Sequence, residues 1–208
     1  MKTLIIDCDG VLYPEYLLPI SELAKAIKNQ AISNNITPEQ YNKISYETKK
    51  RGEEGIFNFV LNLVGKDKDL FDKMCMNTIN SLDYSKIKRD DELFELLLKT
   101  GKKYEICIFT NNHFLHLDKV YRQLFGKTLE EFPFKSYDIC STLKDGIFHP
   151  KQSIDGYRNF LQKINKKNTE CIVYDDSRRN IKRCIENNIP YEFITDKNTL
   201  KKALKKLT

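Results

Sequence analysis

No two of the six cysteines (Cys8, Cys75, Cys107, Cys140, Cys171 and Cys184) stand as C-x-x-C. The spacing of a structural zinc site or a dithiol redox centre is therefore missing. Cys107 and Cys171 fall inside apolar strand patterns, where a reduced cysteine serves as a small hydrophobe. No apolar run approaches the length of a membrane span. Met1-Lys2 leads straight into a strand and resembles neither a signal nor a transit peptide, so the expectation is a cytoplasmic protein with no membrane partner. Charge of one sign is not concentrated either: 35 Lys and Arg face 29 Asp and Glu, a net +6 spread along the chain. The densest basic cluster, Lys201 to Lys206, lacks the aromatic or glycine interleaving of a nucleic-acid tail. It reads as the solvated face and last turn of a terminal helix, where cations suit the helix dipole. A nucleic-acid polymer is thus not expected as partner, whereas a mildly positive surface favours small anionic substrates.

What is present is 208 residues, 40% hydrophobic and 31% charged, enough for one sizeable core carrying a small second domain. Thr3 to Ile6 reads as a buried strand and runs directly into Asp7, Cys8, Asp9 and Gly10. Side chains two apart on a strand share a face, so Asp7 and Asp9 are expected to converge as the chain turns. Two carboxylates so placed need a cation, a shared proton or a task, and one pKa should rise.

From about 14 to 87 the pattern is helical. One helix begins near Ser21, with Leu23, Ala24, Ile27 and Ile32 as its apolar positions. Thr37, Pro38 and Gln40 form a capping box with proline at the first helical position. Ile56, Phe57, Val60, Leu61 and Val64 make a further stripe, and a helix from Asp67 should bury Leu70, Phe71 and Met74. Helix and strand alternate after Asp90: helix 91–100 ending at Gly101, strand 104–109, helix 113–125, a short strand near Tyr137 to Cys140, helix 153–165, strand 170–174, helix 178–188, strand 191–194 and a last helix. This alternation predicts an α/β fold, a Rossmann-like parallel sheet with helices on both faces and the helical block inserted after strand one.

Three strands then end in polar clusters: Asp7 with Asp9, Thr110 with Asn111, and Asp175 with Asp176. In open parallel sheets ligands bind beyond the carboxyl ends of strands, so these clusters should share a rim. Four carboxylates there suit a hard divalent cation, Mg²⁺ first.

These residues carry a family resemblance. Asp7-x-Asp9 followed by Gly10, Val11, Leu12 and Tyr13, then Phe109-Thr110-Asn111, a lysine near 151, and Asp175-Asp176-Ser177 with Asn180 resemble the four motifs of the haloacid dehalogenase-like hydrolases. Order and coverage agree along the whole chain. The D-x-D-x-x-L-Y-P and D-D-S-x-x-N-I runs, His116 after Phe-Thr-Asn, and Tyr46, Gly52 and Gly55 resemble its pyrimidine 5′-nucleotidase branch. The resemblance implies a catalytic core of 1–13 and 88–208 with a helical C1-type cap at 14–87. It implies that Asp7 attacks phosphorus to form an aspartyl-phosphate, and that Asp9 protonates the leaving alkoxide and then activates water. A pKa raised by the neighbouring carboxylate would suit Asp9 for that role. Asp7, Asp176 and the Asp9 carbonyl would hold Mg²⁺ with Asp175 in support, while Thr110, Asn111 and Lys151 would bind the phosphoryl group. Two departures stand out: the order His149-Pro150-Lys151-Gln152 shifts the proline of the third motif, leaving Lys144 as the alternative lysine, and Val11 fills a site where many relatives carry threonine.

The implied activity is Mg²⁺-dependent hydrolysis of a small phosphomonoester, a nucleoside 5′-monophosphate with pyrimidine favoured, by a monomer or weak homodimer. Sugar-phosphate or phosphoglycolate phosphatase, phosphomutase, and a non-catalytic phosphate-binding module are the alternatives. Tyr13, Tyr46 and Phe57 could stack on a base, although aromatics at such spacings also belong to cores. His116 could touch substrate or pack behind the site. Of Arg178 and Arg179, at least one should be a solvated or packing residue.

Overall fold

In the computed structural model, which describes all residues from Met1 to Thr208, β1 (Thr3–Ile6) is the central strand of a five-stranded parallel sheet. The chain continues through α1 (Ile20–Ser33), α2 (Pro38–Lys50), α3 (Ile56–Leu63), α4 (Lys68–Asn80) and α5 (Asp91–Thr100). Next come β2 (Glu105–Phe109), α6 (Phe114–Phe125), β3 (Lys135–Tyr137), and a hairpin of β4 (Leu143–Lys144) and β5 (Ile147–Phe148). It ends with α7 (Gly156–Lys163), β6 (Cys171–Asp175), α8 (Arg178–Glu186), β7 (Tyr191–Phe193) and α9 (Lys197–Lys205). The strand order is β3-β2-β1-β6-β7, the Rossmann-like α/β arrangement that the alternation predicted.

Period-two alternation sends the strand side chains to two apolar layers. Leu4, Ile6, Ile106, Ile108 and Tyr174 join one, which runs on into Leu23 and Ile27 of α1, Phe57 and Val60 of α3, and Phe71 and Met74 of α4. Ile5, Cys107, Phe109, Cys171 and Val173 join the other, beneath Tyr157 and Phe160 of α7 and Cys184 of α8. Phe109 stacks on Phe160 at 3.8 Å between ring centroids, a pair worth about 0.5–1.5 kcal/mol beyond its buried area. All six cysteines are unpaired, and burial pushes the Cys171 thiol up to about 11. No helix is long and apolar enough to cross a membrane.

Register fixes where the polar clusters meet. Ile6 lies opposite Ile108 of β2 and Tyr174 of β6, so the three central strands end level and their following residues share one edge. The outer face is tied to the core by Asp90, which caps α5 through Leu93 N–H and pairs with Lys197 and Lys201 of α9 at 3.0 and 2.7 Å.

Several local expectations shift. The α1 helix starts at Ile20 after Pro19, and its buried line is Leu23, Ile27 and Ala31 at i, i+4, i+8, with Ala26 beside it. Ile32 sits 100° further round and is 55% exposed, and Leu70 is likewise exposed. The Thr37/Gln40 capping box forms as expected. Helix α5 ends at Gly101 as expected, in a right-handed conformation; a Cβ there would lie 2.6 Å from Phe134, so the glycine makes room for that ring. The strand expected near Tyr137 to Cys140 ends at Tyr137, because Asp138 caps a 3-10 turn over Ile139–Thr142. Helix α7 spans 156–163 rather than 153–165, since the chain turns at 150–153 and Gly156 packs against the Pro150 carbonyl.

The β4–β5 hairpin was not anticipated, although Asp145-Gly146, both with positive φ, is the sequence signature of its tight turn. It reaches the helical block through Asn58 of α3. The buried Asn58 amide donates to the Phe148 carbonyl and accepts from the Phe148 N–H, both at 2.8 Å, as a strand neighbour would.

Candidate active site

The level strand ends gather Asp7, Asp9, Thr110, Asn111, Asp175 and Asp176 at one rim, beside a cleft of about 370 Å³. Asp7 and Asp9 both line the cleft, as the opening strand suggested, but they are held by separate partners. Asp7 keeps the face of β1 that looks toward α7. Its Oδ1 accepts the Cys8 N–H and lies 2.6 Å from the Lys151 ammonium. Asp9 lies past the end of the strand, just before Gly10, and its carboxylate meets His116 of α6 and Thr110.

Lys151 is 1% exposed, lodged between Asp7 and Asp175 Oδ2 at 2.6 and 2.9 Å. Burial alone would depress its pKa; Asp175 and Asp7 reverse that and hold the ammonium protonated. Asn111 sets the loop that delivers it: its Oδ1 accepts the Lys151 N–H and its Nδ2 donates to Gln152. The alternative, Lys144, is exposed on the β4–β5 hairpin.

Asp175 is saturated. Its oxygens accept from Ser177 N–H, the Asn180 amide, the Tyr157 hydroxyl and Lys151. Asp176 lines the cleft, and burial and the Asp175 charge push it up to about 6. Carboxylate oxygens of Asp7, Asp175 and Asp176 lie within 4.8 Å of one another. Three carboxylates against one ammonium leave excess negative charge on hard oxygen donors, which fits Mg²⁺. Cys8, Asp9 and His116 form a second close triad, but Cys8 is fully buried and the other two are already hydrogen bonded.

Asp9 is surrounded by donors. Its Oδ1 accepts from Tyr13 at 2.5 Å and from His116 Nε2 at 2.9 Å, and its Oδ2 accepts from Thr110 at 3.0 Å. Burial pushes Asp9 up, but His116, Tyr13 and Thr110 more than offset it and hold the carboxyl well below the usual range. The pKa that rises is that of Asp7, chiefly through burial, with Asp175 and Asp9 adding to it against Lys151. The expectation of a raised Asp9 is therefore corrected: crowding by Asp7 is outweighed by the donors on its other side.

Gly10 makes the two halves compatible. Its φ is +77°, and a Cβ there would lie 1.8 Å from Asp176 Oδ2. Gly10→Ala should cost about 1–3 kcal/mol of stability and displace the Asp176 carboxylate. A displacement of that kind should lower kcat about 100-fold. Wild-type melting temperature and kcat in this variant would refute the account.

The remaining predicted residues divide. Tyr13 is buried under Asp9, so its ring is no platform for a base, and Tyr46 is 67% exposed on α2, outside the residues lining the cleft. His116 and Phe57 line the cleft. Arg179 lines it too, while Arg178 lies over the Phe193 ring. Sequence reasoning missed Tyr84, whose hydroxyl meets His116 Nδ1 at 2.8 Å, and also Asn58, Gln152 and Asn112 in the cleft wall. Gln152, beside Lys151 in the third motif, and Asn112, beside Asn111 in the second, had a local signal.

A family model for haloacid dehalogenase-like hydrolases matches residues 1–183. A search of curated proteins returns no match. Among solved structures, CbbY from Rhodobacter sphaeroides in complex with phosphate is similar, with TM-score 0.57 and 12% identity over 92% of this chain and 84% of that one. A haloacid dehalogenase-like hydrolase from Xanthomonas campestris gives 0.54 and 11% over 100% and 91%. The enzyme bt-2542 from Bacteroides thetaiotaomicron, an aspartate-to-alanine mutant in complex with magnesium and inorganic phosphate, gives 0.52 and 17% over 93% of each chain. At such identities the likeness concerns the fold.

Proposed function

The chain belongs to the haloacid dehalogenase-like hydrolases, and on that premise we propose that it is a Mg²⁺-dependent phosphatase of a small phosphomonoester, with pyrimidine nucleoside 5′-monophosphates as the favoured class. One observation carries the reading: two rim carboxylates stand at one cleft in unlike surroundings, Asp7 beside a buried ammonium and Asp9 within a ring of hydroxyl and imidazole donors. The donors around Asp9 leave it an ionised proton acceptor in the free protein, while Asp7 is set against an ammonium.

In this reading Asp7 attacks phosphorus in line, forming the aspartyl-phosphate as the ester oxygen leaves. Asp9, ionised in the free protein, takes up the proton that a phosphomonoester monoanion brings in and hands it to that oxygen, releasing the alcohol, then takes one from water as the hydroxide hydrolyses the acyl-phosphate. Oδ1 of Asp9 already accepts two strong donors, so Oδ2 is the oxygen that exchanges the proton. Thr110 touches Oδ2, and its hydroxyl becomes free for a phosphoryl oxygen once Oδ2 is protonated. Lys151 screens Asp7 from the incoming dianion, aided by Asn111, which sets its loop. Asp7, Asp176 and the Asp9 carbonyl would hold Mg²⁺, with the saturated Asp175 behind them; when bound, the ion supplies charge neutralisation at the phosphoryl oxygens.

Residues 14–87 act as the cap and 1–13 with 88–208 as the catalytic core. Leu23, Ile56, Phe57 and Asn58 bring the helical block to the cleft, whose volume suits a small metabolite rather than a folded phosphoprotein. The branch motifs around Asp7, His116 and Asp175 support the nucleotide preference. Phosphate release from a panel of nucleotide, sugar-phosphate, phosphoglycolate and p-nitrophenyl esters should require Mg²⁺, stop with EDTA and favour the nucleotides. Release favouring sugars would overturn the nucleotide preference, and no release from any ester would overturn the phosphatase reading.

A further inference from the structure

Both crossings between the sheet and the helical block end on one imidazole. The chain leaves the sheet at Tyr13-Pro14 and returns through a 3-10 turn over Tyr84–Lys86. Tyr13 donates to Asp9 Oδ1 at 2.5 Å and lies 3.3 Å from His116 Nε2. Tyr84 meets the other imidazole nitrogen, Nδ1, at 2.8 Å. His116, on the first turn of α6, is 2% exposed and sends Nε2 to the same Asp9 oxygen at 2.9 Å.

We propose that His116 is a positioning residue that couples the orientation of Asp9 to both connections of the helical block. A carboxylate only accepts, so the Nε2 proton points at Asp9, while Nδ1 is engaged by the Tyr84 hydroxyl at 2.8 Å. Both ring nitrogens are thus held, one by Tyr84 and the other against Asp9 Oδ1. A histidine fixed at one nitrogen holds its ring orientation at the other, as outer partners do for ligating imidazoles. A histidine that merely filled space would not have both nitrogens in directional contacts spanning residues 9 to 116. Tyr13 and His116 both belong to the core segments 1–13 and 88–208, so motion of the helical block reaches the imidazole through Tyr84. Loss of the Tyr84 contact leaves the ring that donates to Asp9 Oδ1 held at one nitrogen only.

The inference rests on the reading of Asp9 as acid and base, and its test separates the two. Tyr84→Phe removes one oxygen; His116→Leu removes both contacts, and His116→Gln restores a donor toward Asp9. Single-turnover rates are compared for p-nitrophenyl phosphate, whose leaving phenolate needs no proton, and for the aliphatic phosphomonoester that wild type hydrolyses fastest. His116→Leu should slow cleavage of the aliphatic ester about 100-fold, with Gln recovering most of that loss and Tyr84→Phe losing about 5- to 10-fold. The p-nitrophenolate burst and the KM values should stay near wild type. Equal slowing of both esters, no slowing of either, or a change in KM alone would overturn the coupling. If His116→Leu does not fold, Tyr84→Phe decides. Failure of the acid–base reading looks different, because Asp9→Asn would then leave aliphatic-ester turnover intact.

Discussion

Asp7→Asn should abolish turnover, by at least about 10⁴-fold, and at the same time make the metal-free protein more stable. The loss follows if Asp7 forms the bond to phosphorus, since an amide oxygen is not a competent nucleophile. The gain follows from the geometry. Asparagine keeps an oxygen for the Cys8 N–H and the Lys151 ammonium, so both short contacts at Oδ1 survive. What is removed is a buried carboxylate whose pKa is driven up by burial and by Asp175 and Asp9. An acid whose folded pKa is raised favours folding below its unfolded value, and that contribution is lost as pH rises through the folded value. At pH 7 wild type therefore bears the cost and the variant does not. The melting temperature in EDTA should rise about 2–4 °C for each kcal/mol relieved. The difference should shrink as pH falls through about 4 and vanish below about 3, where Asp7 is protonated in both states. An unchanged or lower melting temperature at pH 7, or residual phosphate release above background, would refute the account.

Three polar clusters at three strand ends, and hence the rim, could be read because each is a short-range signal: an apolar strand and the residues that follow it. Strand register then brings them level, as Ile6, Ile108 and Tyr174 do. The parity argument for Asp7 and Asp9 reached only as far as the strand. The strand stops at Ile6, and past it the Asp9 carboxylate meets Tyr13, Thr110 and His116 of α6, while Asp7 meets Lys151. The two carboxylates thus have separate partners, which is why their pKa values move oppositely to the expectation. Tyr84 was illegible for another reason. Its significance lies in one oxygen facing an imidazole 32 positions away, and no periodicity encodes such a contact. Tyr46 stands outside the cleft wall, and an aromatic residue on a helix does not disclose which way the helix faces.

Lys151→Met should be the most destabilising single substitution at the rim, costing about 3–5 kcal/mol, roughly 10 °C in melting temperature, with kcat lowered about 1000-fold. The lysine is fully enclosed and serves two carboxylates at 2.6 and 2.9 Å. Methionine fills its volume, so the penalty is that of leaving charges unpaired rather than of opening a cavity. Asp175 retains Ser177, Asn180 and Tyr157, whereas Asp7 keeps only the Cys8 N–H among its hydrogen bonds. Most of the cost should thus arise at Asp7, which gives the argument a second handle. Adding Asp7→Asn to Lys151→Met should restore a large part of the lost stability, making the pair strongly non-additive, while restoring none of the activity. Additive melting shifts in the metal-free double variant would show that Asp7 and Lys151 do not form the coupled pair their 2.6 Å separation implies. The same cycle with Asp175→Asn should recover less, because that carboxylate is already supported by three other donors.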